Sequence, residues 1–212
     1  DAAEIREFDL TEKKFVEGGF QLPEAKSRAA WRDKDTLWVG TDWGAGSLTK
    51  SGYPRVIKEW KRGTPLAEAK AIYETSADDM GVWPVTRDTK EASYSLLFRK
   101  QSFFEGDEHL AVGDKLVKLE LPFDADFKAI FREHVVVALR THWTVNGTTY
   151  PRGALLAIPL HNLIDPKRAA KPEPRVLFTP SERVSLDSVA TTREQLLYTT
   201  LDNVKSRLYR VD

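Results

Sequence analysis

Serine side chains are the first candidates for chemistry, because a serine becomes a nucleophile only in a specific setting. The sequence Gly-x-Ser-x-Gly places a strained serine between a strand and a helix, and no serine of this chain has those flanking residues. The segment Gly44–Ser47 is rich in glycine, but Leu48 and Thr49 follow it where a phosphate-binding loop requires Lys and then Ser or Thr. We therefore expect a flexible loop between strands here, and no catalytic residue in this chain.

The positions of the histidines and the lack of cysteine do not indicate a metal site. Without cysteine, the chain can form no disulfide, thiolate nucleophile or cysteine-based zinc site. His134 and His142 have an even spacing within one predicted strand, so they share a face but lie about 25 Å apart at roughly 3.3 Å per residue. One metal ion cannot bind both, and His109 and His161 stand alone. The sequence therefore predicts no metal and no cofactor.

Acidic residues occur in pairs at positions 33 and 35, 78 and 79, and 124 and 126. All three pairs fall in predicted turns, where aspartate accepts hydrogen bonds from nearby backbone N–H groups. Turn formation is the expected role of these pairs. The alternatives are a glycosidase carboxylate pair or a calcium site in a loop, and the spacing supports neither of them.

Six tryptophans are many for 212 residues. Those in or beside predicted strands are expected to fill space between sheets, because a broad ring buries a large apolar area. They are Trp31, Trp38, Trp60 and Trp83. Trp43 and Trp143 are near loops, where each ring either packs at the edge of the core or forms a stacking surface for a ligand.

The charge balance excludes some classes of partner. The chain has 32 basic and 32 acidic residues, so its formal net charge is zero. Nucleic acids and anionic membranes require a basic surface, and no apolar run approaches the roughly 18–20 residues of a membrane helix. We expect neither partner. Residues 1–4 lack signal-peptide features, and a strand follows at once, so we expect an excised piece of a longer chain.

Short apolar strands joined by polar turns repeat along the sequence at a period of tens of residues, which is typical of propeller blades or arrays. We predict an all-β fold: an incomplete β-propeller over residues 1–212, with three to four blades of antiparallel four-stranded sheets. The predicted blades cover residues 1–22 (partial), 23–75, 78–121, 124–179 and 183–212 (partial).

Turn residues set the expected limits of the strands. Asn146 and Gly147 predict a tight hairpin, because both turn positions need a positive φ. Leu66–Lys70 has helical composition but is short, and residues 165–174 resemble a polar connection. The predicted strands are Ile5–Leu10, Ala29–Arg32, Thr36–Thr41, Arg55–Arg62, Lys70–Glu74, Val82–Thr86, Ser93–Arg99, Glu108–Val112, Leu116–Leu121, Phe127–Phe131, Val135–His142, Leu155–Pro159, Arg175–Phe178, Val184–Thr191, Glu194–Leu201 and Ser206–Val211.

Several runs of residues resemble the bacterial prolyl oligopeptidase-like serine peptidases. The resemblance extends over nearly the whole chain and lies within the N-terminal propeller of that family. Its motifs belong to the scaffold and identify the family better than the substrate. They are Arg6–Leu10, Gly18–Lys26, Ala30–Leu37, Gly46–Val56, Trp60–Leu66 and Trp143–Leu156.

The resemblance implies a seven-bladed propeller that caps an α/β-hydrolase domain carrying Ser, Asp and His. In that family the propeller admits short peptides and excludes folded proteins. The catalytic hydrolase domain is absent from this chain, so the resemblance implies a non-catalytic, substrate-gating fragment. The parent would be a bacterial peptidase acting on short, proline-containing peptides, in the cytoplasm or the periplasm. The implied partners are the hydrolase domain of the same parent chain and short peptides.

The same resemblance suggests which residues face the substrate. By analogy, residues 23–27, 42–54, 78–81, 99–106 and 143–152 form the loops that face the hydrolase domain. The substrate-facing candidates include an arginine for a peptide carbonyl and a methionine for an apolar wall, and they are Arg99, Met80, Trp43 and Tyr53. The simpler alternative is that Arg99 is a surface strand residue and Met80 fills space within a blade.

Two other functions remain open at this point. A free-standing propeller-like module would bind a protein partner through one rim, and a carbohydrate-binding β-domain would use Trp43 and Trp143. An excised arc of a propeller exposes two apolar end faces. We therefore also expect the isolated fragment to self-associate or to rearrange its terminal blade.

Overall fold

The computed structural model describes residues 2–164 and 172–211. The chain divides into two compact units. Among the described residues, the first unit contains 2–86 and 95–109, and the second contains 87–94, 110–164 and 172–211. The fold is all-β, with mostly antiparallel sheets, as the sequence predicts.

The first unit is built on one four-stranded antiparallel sheet in the order β5-β6-β7-β8, with two short hairpin-like pairs, β1-β4 and β2-β3. All five residues of β6 are buried, because the apolar run in this strand is covered on both faces. A 3₁₀ turn at Leu66–Glu68 precedes β8. The strands are β1 (Ala3–Arg6), β2 (Phe8–Asp9), β3 (Lys14–Phe15), β4 (Gln21–Ala25), β5 (Arg28–Asp33), β6 (Thr36–Gly40), β7 (Val56–Lys61) and β8 (Lys70–Glu74).

A second four-stranded sheet has the order β12-β11-β10-β9. The division between the two units falls within its first three strands. These strands are β9 (Gly81–Asp88), β10 (Ser93–Lys100) and β11 (Gly106–Val112), and the fourth is β12 (Lys115–Lys118).

The second unit contains a four-stranded sheet, β13-β14-β17-β18, a two-stranded sheet, β15-β16, and a three-stranded sheet, β19-β20-β21. Phe131, Val136, Leu155 and Leu196 belong to its buried core. The elements are β13 (Asp126–Phe131), β14 (His134–Ala138), β15 (Trp143–Val145), β16 (Thr148–Tyr150), β17 (Leu155–Pro159), α1 (Leu160–Ile164), β18 (Arg175–Phe178), β19 (Val184–Thr191), β20 (Leu196–Asp202) and β21 (Lys205–Val211).

The Asn146-Gly147 hairpin is confirmed. Both residues have a positive φ, 54° and 76°, and Val145 pairs with Thr148 across the turn. The expected polar connection at 165–174 falls largely on residues 165–171, which lie outside the described residues. The assignment of the sheets to individual blades stays a prediction.

Three predicted strands differ from the structure by more than two residues at one end or are divided in two. The strand expected at Val135–His142 ends at Ala138, because the ladder closes with Leu139 bonded to Ala154 and Gly153. His142 lies beyond it, so the shared face with His134 was wrong.

The other two strands are interrupted by local turns. Ile5–Leu10 breaks in two, since β1 pairs with β4 and β2 with β3, and the Asp9 carboxylate accepts the N–H groups of Thr11 and Glu12. Leu116–Leu121 ends at Lys118, where Leu121 N–H turns back to the Leu119 carbonyl.

Among the described residues, the structure contains no helix with the length and apolar character needed to cross a membrane.

Gly106 provides a test of the turn between β10 and β11. A Cβ atom at this position would overlap the backbone carbonyl oxygen of Arg99, and backbone cannot yield as a flexible side chain does. Gly106→Ala should therefore destabilise the chain by about 3 kcal/mol or more, measured as a lower midpoint of urea unfolding.

Gly113→Asn is the control for this substitution. Gly113 has a φ of +60°, but a Cβ atom added to it would meet no other atom within 4 Å, and asparagine tolerates this conformation. Its cost should stay at about 1 kcal/mol or less. Equal losses for the two variants would contradict the steric explanation.

Candidate substrate-facing site

The centre of the site is the guanidinium of Arg99, at the end of β10. Its Nε lies 2.8 Å from Oδ2 of Asp79, and its Nη2 lies 3.2 Å from Oδ1 of the same carboxylate. Its Nη1 donates to Oδ2 of Asp107 in β11 at 3.0 Å. The two aspartate side chains are only 4% and 6% exposed, and that of Arg99 is 24% exposed. One cation therefore holds two buried anions.

Thr75 and Ser76 complete the surroundings of the Asp79 carboxylate. The Thr75 hydroxyl donates to Oδ2, and the Ser76 backbone N–H donates to the same oxygen at 3.3 Å. The hydrogen bond from Arg99 lowers the pKa of Asp79 below its ordinary value, although burial opposes this change. The same hydrogen bond raises the pKa of Arg99. Both groups are thus held in their charged forms.

Tyr73 and His109 lie beside this ion pair network. Their ring centroids are 4.9 Å apart, and Nδ1 of His109 is 3.4 Å from Oδ1 of Asp107. Burial raises the pKa of Tyr73, and the nearby charge of Asp107 adds to the effect. The phenol therefore stays neutral over the physiological range. These contacts place a neutral phenol and an imidazole beside the charged groups of the network.

Met80 joins two loops through its backbone. Its N–H donates to the Gln101 carbonyl at 3.2 Å, and its own carbonyl accepts the hydroxyl of Thr49 at 3.1 Å. Thr49 in turn donates its N–H to the Tyr53 carbonyl at 2.8 Å. Met80 directly follows Asp79 in the sequence, so the structure brings Met80, Tyr53 and Arg99 into one connected region of the first unit.

Tyr53 lies against a second aromatic ring. Its ring centroid is 5.7 Å from that of Trp83, and Nζ of Lys26 is 5.0 Å from the Tyr53 ring. Gly81 permits this close packing, since an added Cβ would come within 3.0 Å of the Cβ of Tyr53. The side chain of Tyr53 is half-buried.

Trp43 packs apart from the other three candidates. Its indole N–H donates to the Val56 carbonyl at 3.1 Å, and Nζ of Lys58 lies 4.3 Å from its ring centroid. The ring also packs against a core cluster that contains Val39 and Trp60. These contacts favour edge packing over a stacking surface for this residue.

Sequence reasoning missed the two carboxylates that hold Arg99. Asp79 was expected to form a turn, and it does accept the Ser76 N–H, but it is also a buried ion-pair partner. Asp107 was not among the predicted site residues. β11 begins with Gly-Asp-Glu-His, and the strand expected at Glu108–Val112 starts one residue after Asp107. The local sequence therefore gave no signal that Asp107 is a buried ion-pair partner. Among the described residues, no group of three or more His, Asp or Glu side chains is placed to hold a metal ion.

Comparisons with known proteins relate the whole chain to peptidases. No protein-family model matches it. An uncharacterized peptidase of Sinorhizobium fredii, y4nA, is 34% identical over 222 residues, which cover 100% of this chain and 30% of the relative. An uncharacterized peptidase of Rickettsia prowazekii, RP174, is 28% identical over 218 residues, covering 96% of this chain and 30% of the relative.

Solved structures agree with these relatives. A post-proline cleaving enzyme from Rickettsia typhi superposes with a TM-score of 0.90 at 26% identity, covering 99% of this chain and 32% of that enzyme. The chain is a homologue of part of the prolyl endopeptidase-like peptidases. A chain from a study of two prolyl endopeptidases has a TM-score of 0.68 at 14% identity, with 99% and 30% coverage, which shows the shared fold alone.

The family resemblance expected from the sequence is thus confirmed. The chain spans about a third of the length of the proteins that it matches.

Removal of the Arg99 charge should strongly destabilise this homologue. Arg99→Met would leave Asp79 and Asp107 buried without their cation, at an expected cost of about 3–5 kcal/mol. The measurement is the free energy of unfolding from urea denaturation at pH 7.

Lys50→Met is the matched control for that change. It removes the cation of an exposed pair with Asp78, whose side chains are 77% and 73% exposed, so it should cost less than about 1 kcal/mol. Similar costs for the two variants would show that the Arg99 network contributes no more than a surface pair.

The lowered pKa of Asp79 predicts a dependence of stability on pH. The contribution of this carboxylate is complete above its ordinary pKa of 3.8 and is lost as the pH falls through the lower pKa of the folded state. Asp79→Asn should therefore lower stability at pH 7 and weaken the loss of stability on acidification below about pH 4. Thermal unfolding from pH 2 to 7 measures both effects, and parallel pH profiles for the two proteins would contradict the prediction.

Proposed function

We propose that this chain is the non-catalytic, substrate-gating part of a serine peptidase that cleaves short, proline-containing peptides. The main support is its superposition with 32% of a post-proline cleaving enzyme at a TM-score of 0.90. The identity of 34% to an uncharacterized peptidase over the whole chain adds to this support. In this proposal the catalytic Ser, Asp and His belong to an α/β-hydrolase domain elsewhere in a longer parent protein.

The sheets are proposed to be blades of one incomplete propeller. The four-stranded sheets would form the blades at 23–75, 78–121 and 124–179, and residues 1–22 and 183–212 would contribute to partial blades. Support comes from the strand order, because each of these three sheets is formed by strands in sequence order, apart from the hairpin β15-β16 inserted into the third. A propeller blade has the same four-stranded antiparallel form.

Arg99 is proposed to contact a peptide carbonyl, with Met80 and Tyr53 forming an apolar wall beside it. Its bonds to Asp79 and Asp107 use three of the five N–H groups of the guanidinium. Two N–H groups can therefore donate to a substrate while the buried aspartates hold the side chain in place. Trp43 has less support, since its contacts are with the core.

The intact parent protein provides the test. It should hydrolyse a chromogenic peptide with Gly-Pro before the reporter group at least about tenfold faster than the same peptide with Gly-Ala, and a serine-directed fluorophosphonate should abolish this activity. A short peptide should be cleaved and a folded protein of the same local sequence should not.

Two results would contradict the proposal. A parent protein that neither cleaves these peptides nor reacts with the fluorophosphonate would favour the alternative, a propeller-like protein-interaction module. Equal cleavage of the short peptide and the folded protein would contradict the gating role and would still support a peptidase activity of the parent protein.

A further inference from the structure

The loop between β10 and β11 carries two exposed aromatic side chains at its tip. Phe103 is 73% exposed and Phe104 is 55% exposed, and their ring centroids lie 4.8 Å apart in an edge-to-face arrangement. Four other hairpin tips in the described part of the chain carry polar residues or glycine: Asp33-Lys34-Asp35, Gly113-Asp114, Arg132-Glu133 and Asn146-Gly147. Two more tips expose an aliphatic side chain, Leu10 and Val204, and not an aromatic pair. Adjacent exposed aromatic rings contribute little to folding and are typical of an interaction surface.

This loop is held in one conformation by its own hydrogen bonds. The Gln101 and Ser102 N–H groups both donate to the Glu105 carbonyl, at 2.9 and 3.2 Å, and the Ser102 hydroxyl donates to the Glu105 carboxylate at 3.1 Å. Gly106 follows, where no side chain fits against Arg99. A surface that is already ordered loses less entropy on binding.

The aromatic tip belongs to the same rim as the candidate site. The Gln101 carbonyl accepts the Met80 N–H, and Met80 is bonded to Thr49 of the neighbouring loop. At the base of the loop, Arg99 is anchored to Asp79, one residue before Met80. The loops at 46–53, 76–80 and 101–105 therefore form one connected platform within the first unit.

We infer that Phe103 and Phe104 dock into an apolar pocket on the catalytic domain of the parent protein, and so hold that domain over the candidate site. This inference rests on the proposed function. The relatives are about three times as long as this chain, so the remainder of such a protein is large enough to cover the rim. Aromatic side chains with a polar surround, here Gln101, Ser102 and Glu105, are the usual anchors of protein interfaces.

Photo-crosslinking in the intact parent protein tests the contact. With Phe103 replaced by p-benzoylphenylalanine, irradiation should give an intramolecular crosslink to a peptide of the catalytic domain, identified by mass spectrometry. The control places the same group at Lys34, whose side chain is 91% exposed. Lys34 lies in the turn at the other end of β6 from the loop at 46–53, roughly 16 Å away at 3.3 Å per strand residue, so it should give no such crosslink.

Activity provides the second measurement. Phe103→Ser combined with Phe104→Ser should lower kcat/KM for the Gly-Pro reporter peptide on the order of tenfold, the effect of losing one interface anchor. Leu10→Ser is the control. It removes an apolar side chain that is 84% exposed, and it should leave kcat/KM unchanged.

The outcomes separate the two proposals. Suppose that the parent cleaves the proline peptide. If the group at position 103 then forms no crosslink, or crosslinks only to a second copy, or if the double substitution leaves kcat/KM unchanged, the docking inference is wrong and the proposed function stands. If the parent does not cleave the peptide but the crosslink to the rest of the chain forms, the peptidase proposal fails and the docking contact remains.

Discussion

The ion pairs of Arg99 are the interaction on which the candidate site depends. Two carboxylates that are almost completely buried require a cation, because an isolated charge in the protein interior is very costly. The guanidinium of Arg99 forms ion pairs with both carboxylates, those of Asp79 and Asp107. This requirement ties the end of β10 to the segment before β9 and to β11, and the position of Met80 follows from it.

The same network would let Arg99 combine its structural role with the binding role that we propose for it. A guanidinium has five donors in a fixed plane, and the bonds to the buried aspartates use only three of them. Since the carboxylates restrict its rotation, the side chain presents its remaining donors without further ordering. A lysine at position 99 would supply the charge but could not bond two carboxylates in this planar geometry.

The all-β pattern was readable from local sequence, and its errors have a common cause. The strands of the apolar cores were predicted to within a few residues, because burial on both faces leaves a continuous apolar run. The strands that end at Lys118 and Ala138 were predicted too long, because apolar residues follow each of them. In the structure, the backbone of these apolar residues forms hydrogen bonds in turns and loops. The family resemblance added Arg99, Met80 and Tyr53 as candidates, and these lie in one connected region. The resemblance did not distinguish Trp43 from these three residues, although the Trp43 side chain contacts the core.

By itself, the sequence determined the strand-rich fold, the hairpin at Asn146 and Gly147, and the lack of a serine in a nucleophile motif. These properties depend on residues that are close together in the chain. Only the tertiary structure decided that Arg99 meets Asp79, which is 20 residues away, as well as Asp107. The sequence does not distinguish the neighbouring residues Asp78 and Asp79. In the structure, Asp78 is exposed in a surface ion pair and Asp79 is buried. The difference arises from how the loop packs against β10 and β11, which no local pattern of residues encodes.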